Sequence, residues 1–156
     1  NKGIKTAKYF VAIPGQYENE TELPISFPLF LKPLDAANGN GIDDLSLVTN
    51  FTEYETKIAS LYESFNQPVL IEEYLEGREY TVAVIKTHDE KLIVSAVEVI
   101  PPTSTNGVRI LGSKAKIDDS EKLVKIENTD IEKRVTNLAI EAFNDMDVRD
   151  FGRIDI

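Results

Sequence analysis

The chain has no cysteine, one histidine and no apolar run near the ~18 residues that a membrane-spanning helix needs. Without thiols there is no disulfide framework, no thiolate zinc site and no cysteine nucleophile, and a reducing compartment is compatible with the composition. His88 alone cannot build a multi-histidine metal centre. Positive charge is scarce: 17 Lys and Arg face 27 Asp and Glu, a formal charge of −10. Such a surface repels a phosphate backbone, so nucleic acid is not an expected partner. No signal peptide and no initiator Met open the sequence, so Asn1 reads as a cut end. What is present is 42% hydrophobic residues over 156 positions, enough for a packed core and too apolar for a disordered tail. That length is one ordinary domain or two small ones.

Hydrophobic patterning divides the chain into alternating elements. Residues 9–13 read as a strand ended by Pro14-Gly15, and the polar stretch 16–22 as a loop. Residues 27–33, Phe-Pro-Leu-Phe-Leu-Lys-Pro, read as a buried strand stopping at Lys32. The small, glycine-rich run 35–44 reads as a mobile loop, and 45–48 as a short strand. A helix is predicted over 52–65, with Thr52 and Glu55 as a capping box and Tyr54, Ile58, Leu61, Tyr62 and Phe65 on one face. Strand 69–75 follows, and Glu76-Gly77 reads as a hinge between two lobes. Residues 79–87 and 91–100 form a predicted hairpin with His88 in its turn. A strand is expected within 108–117, and 118–128 is polar and mixed. The second helix is predicted over 129–145, capped by Thr129 and Glu132, with Ile131, Val135, Leu138, Ala139, Ala142, Phe143 and Met146 on its apolar face. The last seven residues alternate like a strand. The tripeptides Asn19-Glu20-Thr21 and Asn50-Phe51-Thr52 match the glycan-acceptor pattern and, with no secretion signal in the sequence, are read as chance matches.

Four features could carry chemistry. Lys32 ends a strand just before a glycine-rich loop, where backbone N–H groups can approach an anion. The stretch 68–79 runs from an apolar strand into a linker with several carboxylates, where an edge backbone could read a base and Glu79 could accept from ribose hydroxyls. Lys114 and Lys116 fall on one face of a predicted strand and could clamp a polyphosphate. Arg153 and Asp155 share a strand face, a carboxylate for Mg²⁺ beside a cation for developing negative charge. Taken singly, each has a plainer reading: a solvated lysine, a charged turn, two solvent-facing cations, an exposed ion pair.

Their order is more specific. Phe27-Pro-Leu-Phe-Leu-Lys-Pro33, a loop ending in Gly41-Ile42, a helix, Gln67-Pro-Val-Leu-Ile-Glu-Glu-Tyr-Leu-Glu-Gly-Arg-Glu-Tyr-Thr-Val82, Lys114-Ala-Lys116, a helix and Gly152-Arg-Ile-Asp155 resemble the ATP-grasp ligases. Within them the chain is most similar to the D-alanine–D-alanine ligase family. The resemblance covers almost the whole chain and is most specific from Pro68 to Val82. It implies an α+β fold, with a central subdomain over 8–76 and a partial C-terminal subdomain over 77–156 flanking a nucleotide cleft. It implies that Lys32 and Lys116 bind ATP phosphates, that Glu72, Glu73, Tyr74 and Leu75 line the adenine pocket with the Leu75 N–H reading the ring, and that Glu79 holds the ribose. Arg153 would stabilise the tetrahedral intermediate and Asp155 would ligate Mg²⁺. The implied reaction joins a carboxylate to an amine through an acyl phosphate, with D-alanine or a similar amino acid as substrate. The setting would be peptidoglycan precursor synthesis in the cytoplasm, off the membrane, with a homodimeric parent one option.

The loop Asn38-Gly39-Asn40-Gly41, with residues 42–45 after it, departs from the serine-containing family pattern, and Glu73 stands where some members have lysine. The family also places a substrate-binding domain before this segment and a Glu- and Asn-bearing strand after it. The resemblance therefore implies a middle piece, inactive by itself. An ATP-grasp ligase for another amino acid or peptide, and a non-catalytic nucleotide-binding module, are the alternatives.

Overall fold

A computed structural model describes residues 3–36, 39–102 and 120–156. Two compact units are present, one built on Thr6–Glu76 and the other on Gly77–Ile100 with Lys122–Ile156.

In the first unit, β1 (Tyr9–Ala12), β2 (Leu29–Pro33), β3 (Leu47–Val48) and β4 (Val69–Glu73) form a sheet in the order β1-β4-β2-β3, antiparallel at every pairing. Strand alternation decides which residues are buried. Leu29 and Leu31 of β2 and Val69 and Ile71 of β4 are fully enclosed, while Phe30, Lys32, Leu70 and Glu72 take the opposite face. Helix α1 (Phe51–Phe65) covers the enclosed face with Tyr54, Ile58 and Leu61. Each fully buried aliphatic side chain of this size contributes about 1.5–3 kcal/mol relative to exposure, so this stripe holds the helix to the sheet.

The structure corrects several details. The cap of α1 is Asn50, whose side chain accepts from the Glu53 amide at 3.0 Å; Thr52 lies inside the first turn. Glu53 supplies the reciprocal bond, to the Thr49 amide at 2.7 Å, which holds its carboxyl below the usual range. Asn50-x-x-Glu53 and Thr52-x-x-Glu55 overlap in sequence, and the extended backbone at Asn50 selects the first. Tyr62 is exposed, and Lys57, a charged residue, is buried on the same face as Tyr54, Ile58 and Leu61. The helix ends at Asn66, whose N–H makes the last helical bond, to the Tyr62 carbonyl, and whose left-handed backbone then turns the chain away. A short 3₁₀ turn, Glu20–Glu22, interrupts the expected loop, and β4 stops at Glu73, short of 75.

Tyr54 carries a testable consequence. It is 3% exposed, and its hydroxyl has no hydrogen-bond partner among the described residues. Burial, with smaller contributions from Tyr17 and Glu55, pushes its pKa up from 10.0 to about 12. A raised acid pKa favours the neutral form in the fold, so its stabilising effect is complete below pH 10 and is lost as pH rises toward 12. The loss amounts to about 1 kcal/mol by pH 11 and roughly 2–3 kcal/mol beyond pH 12. Tyr54→Phe should remove that part of the alkaline loss and be neutral or mildly stabilising at pH 7, because an unpaired buried hydroxyl disappears. Urea unfolding of both proteins at pH 7 and pH 11 measures it; equal alkaline losses would count against it.

In the second unit, β5 (Glu79–Lys86), β6 (Leu92–Ile100), β7 (Lys122–Val124) and β8 (Phe151–Asp155) form an antiparallel sheet in the order β7-β6-β5-β8. Helix α2 (Thr129–Asp145) packs Val135, Ala139 and Phe143 against Tyr80, Val82 and Val84. Its cap is Asn128, which accepts from the Asp130 and Ile131 amides, one position before the expected Thr129. Met146 is the exposed C-terminal cap and lies off the buried face. Strand β7 lies inside the stretch read as polar and mixed. Three residues are too few for alternation to show, and their pairing with β6 places them. The expected strand at 108–117 lies outside the described residues.

Candidate functional site

On the outer face of the first sheet, Lys32 and Glu72 meet. Lys32 pairs in register with Leu70, and Glu72 with Phe30, so the two side chains lie diagonally across neighbouring strands. Long side chains span such a diagonal, and the Lys32 ammonium sits 2.5 Å from a Glu72 carboxylate oxygen. Both are only partly exposed, at 32% and 23%. The cation is thus held in a defined place by a carboxylate that an incoming anion would have to replace.

Glu73 points to the opposite face. Its carboxylate accepts from the Lys8 amide at 2.8 Å and faces the Lys8 ammonium at 3.9 Å, which ties it to the segment leading into β1. The Tyr74 N–H donates to the Pro28 carbonyl at 3.1 Å, and the Tyr74 side chain is half-buried. Leu75 is 64% exposed, and its N–H makes no hydrogen bond among the described residues. Of the four residues expected to line an adenine pocket, Leu75 therefore offers an open N–H to a ligand, while Glu72 is paired with Lys32, and Glu73 and the Tyr74 N–H are engaged elsewhere within the protein.

The second unit presents the remaining candidates on the exposed face of its sheet. Glu79 opens β5 opposite Val99, with its side chain exposed. Thr81 lies opposite Asp155, and Ala83 opposite Arg153. The Thr81 hydroxyl donates to Asp155 Oδ1 at 2.8 Å, and Arg153 Nε lies 3.4 Å from the same oxygen. Arg153 and Asp155 thus form both the ion pair of the plainer reading and a matched cation and carboxylate on one open face. Sequence reasoning missed Thr81, because the register between β5 and β8 leaves no mark in either strand alone. It also missed the ion pair between Lys57 and Asp43 (2.7 Å), although a lysine within an apolar helical stripe was a visible signal. Lys114 and Lys116 lie outside the described residues.

Among the described residues no group of three or more His, Asp and Glu could enclose a metal ion. Magnesium, however, is commonly held by one or two carboxylates plus substrate phosphates. Asp155, with Oδ1 engaged by Thr81 and Arg153 and no partner for Oδ2 among the described residues, fits that use and not an all-protein cage. Lys32 and the open Leu75 N–H likewise fit a phosphate and a base edge. No described helix is long and apolar enough to cross a membrane.

A profile of the D-ala D-ala ligase C-terminus matches residues 1–156. The chain belongs to that family. Its fold is the ATP-grasp fold of the family's solved structures. A curated D-alanine–D-alanine ligase of Petrotoga mobilis is 24% identical over 140 residues, 85% of this chain and 42% of that protein. The solved VanG D-Ala:D-Ser ligase of Enterococcus faecalis superposes with a TM-score of 0.70 at 22% identity, over 99% of this chain and 44% of that one. The D-alanine–D-alanine ligase of Bacillus anthracis, solved in complex with ATP, gives 0.69 at 18%, over 99% and 45%. The chain spans less than half the length of these relatives. As a member of the ligase family, it carries Lys32, Glu72, Arg153 and Asp155 on the outer faces of its two sheets, away from the helices.

Proposed function

We propose that this chain is the nucleotide-binding part of an ATP- and Mg²⁺-dependent ligase that joins a carboxylate to an amine, with D-alanine as substrate. Membership of the D-alanine ligase family across residues 1–156 carries the proposal, and the relative solved with ATP supports it. Residues 8–76 are assigned to the central subdomain and 77–156 to the C-terminal one. Lys32 and Lys116 bind phosphate, Glu72 through Leu75 border the adenine with the Leu75 N–H as donor, and Glu79 accepts from the ribose. Arg153 meets the negative charge that develops at the reacting carboxyl, and Asp155 binds the metal. ATP, when bound, activates the carboxylate as an acyl phosphate. The corresponding place is the cytoplasm, in peptidoglycan precursor synthesis.

Full-length protein given MgATP and D-alanine should release phosphate in proportion to dipeptide formed. D-serine belongs in the same assay, because one structural relative is a D-Ala:D-Ser ligase. Release with another amino acid and none with D-alanine would reassign the substrate. ATP binding without release for any amino acid would favour a non-catalytic module.

A further inference from the structure

The segment that follows Lys32 returns to the sheet through Gly41, Asp43 and Ser46, and it is tied down at both edges. Gly41 has φ +82, and a Cβ there would lie 2.6 Å from Pro33 Cγ and 2.8 Å from Phe65 Cε2, so only glycine fits the slot. The Ile42 amide donates to the Gly39 carbonyl, and the Asp43 amide to the Ser46 hydroxyl. Ser46 is fully buried, and its carbonyl accepts from the Leu31 amide at 2.8 Å, next to Lys32. Over its described part, this glycine-rich segment is a series of hydrogen-bonded turns anchored on β2.

Gly41 abuts Phe65 at the end of α1, but beside the first turns of the helix the same segment is less closely packed. A cavity of about 500 Å³ lies there, lined among others by Asp43, Asp44, Leu47, Thr52, Thr56 and Lys57. Lys57 crosses this gap. It is 6% exposed, on the apolar face of α1, and its ammonium reaches Asp43 Oδ1 at 2.7 Å and the Gly41 carbonyl at 3.4 Å. A buried ammonium is costly unless it is paired, and both of its partners belong to the glycine segment. Asp43 Oδ1 also accepts from the Leu45 amide at 2.9 Å, so one carboxylate joins the helix to the turn.

We propose that Lys57 is a positioning residue for the nucleotide: through Asp43 and Gly41 it fixes the backbone of residues 41–46 in the conformation that meets the phosphates held by Lys32. The inference rests on the nucleotide-binding reading above. Packing holds the segment at Gly41, between Pro33 and Phe65, and at Asp43, beside the pocket, the ion pair supplies the constraint.

The test uses the full-length protein with Lys57→Met, Asp43→Asn, the double variant and Lys57→Arg. Hydrogen exchange at the Ile42, Asp43 and Ser46 amides should speed up in the Met and Asn variants. KM for ATP should rise about tenfold, with kcat within about twofold and adenosine affinity unchanged. The double variant should be no worse than either single one, because the two side chains act as a unit, and Lys57→Arg should recover part of the loss. If Asp43→Asn, which leaves a buried ammonium unpaired, fails to fold, Lys57→Met still decides the matter, since it keeps an unbranched stem one atom shorter and removes the charge. A lowered unfolding midpoint with unchanged exchange and unchanged KM would overturn the proposal and leave Lys57 a structural residue. Wild-type protein without affinity for ATP would overturn the nucleotide reading and the positioning role with it. The exchange data, which need no ligand, would then show that the failure lay in the nucleotide reading and not in the latch.

Discussion

Arg153→Ala in the full-length protein is expected to slow D-alanine-dependent phosphate release about 10²–10³-fold, the usual loss when a preorganised donor to developing negative charge is removed. Folding stability should hardly change. Arg153 is 69% exposed and pairs with an equally open Asp155 at 3.4 Å, and exposed pairs of this kind contribute about 0–1 kcal/mol. The core of that unit, Val82, Val84, Ala139 and Phe143, lies on the other face of the sheet. The separation of the two effects is what makes the variant informative. Arg153→Lys should fall between, because it keeps a charge and loses the planar fork. Steady-state kinetics and urea unfolding of the same preparations measure both quantities. A rate loss of only a few-fold, or one matched by a fall in stability, would remove Arg153 from the reaction.

The periodic parts of the fold were legible in the sequence, and the parts that depend on distant contacts were not. Both helices could be placed because Tyr54, Ile58 and Leu61, and Val135, Ala139 and Phe143, recur at helical spacing. The hairpin 79–100 was visible from its two β-rich runs around a polar turn. The caps were misplaced by one or two residues because Asn and Thr stand close together before each helix, and only backbone geometry chooses between them. Strand β7 escaped because Lys122–Val124 owes its conformation to β6 and not to its own side chains.

The candidate site divides in the same way. The residue types were readable from motif order, and Arg153 and Asp155 were expected on one strand face from their spacing of two. The pairings were not readable. Lys32 with Glu72, Thr81 with Asp155 and Lys57 with Asp43 are separated by 40, 74 and 14 positions, and each depends on a strand register or a helix rotation set by the packed core. The pairing at Lys32 changes the chemistry most. A lysine read as a strand-end cation proves to be half of an ion pair, so its availability to a ligand depends on Glu72.

That dependence gives the remaining prediction its form. Lys32→Ala should weaken MgATP binding by the full-length protein about 10²-fold, a loss of about 2.7 kcal/mol, and leave adenosine binding within about twofold. The asymmetry follows from the proposed roles, in which the ammonium meets phosphate and the backbone meets the base edge. Removing Lys32 also leaves Glu72, 23% exposed, without its partner, and its negative charge would itself repel phosphate. Glu72→Gln separates the two contributions. On its own it frees the ammonium and should not imitate the loss, while Lys32→Ala with Glu72→Gln should recover the repulsive part and keep the rest. Calorimetry with MgATP and with adenosine on the four proteins reads both. Equal losses for the two ligands in Lys32→Ala would mean that the lysine supports the sheet and not the phosphates. Full recovery in the double variant would assign the effect to Glu72 alone.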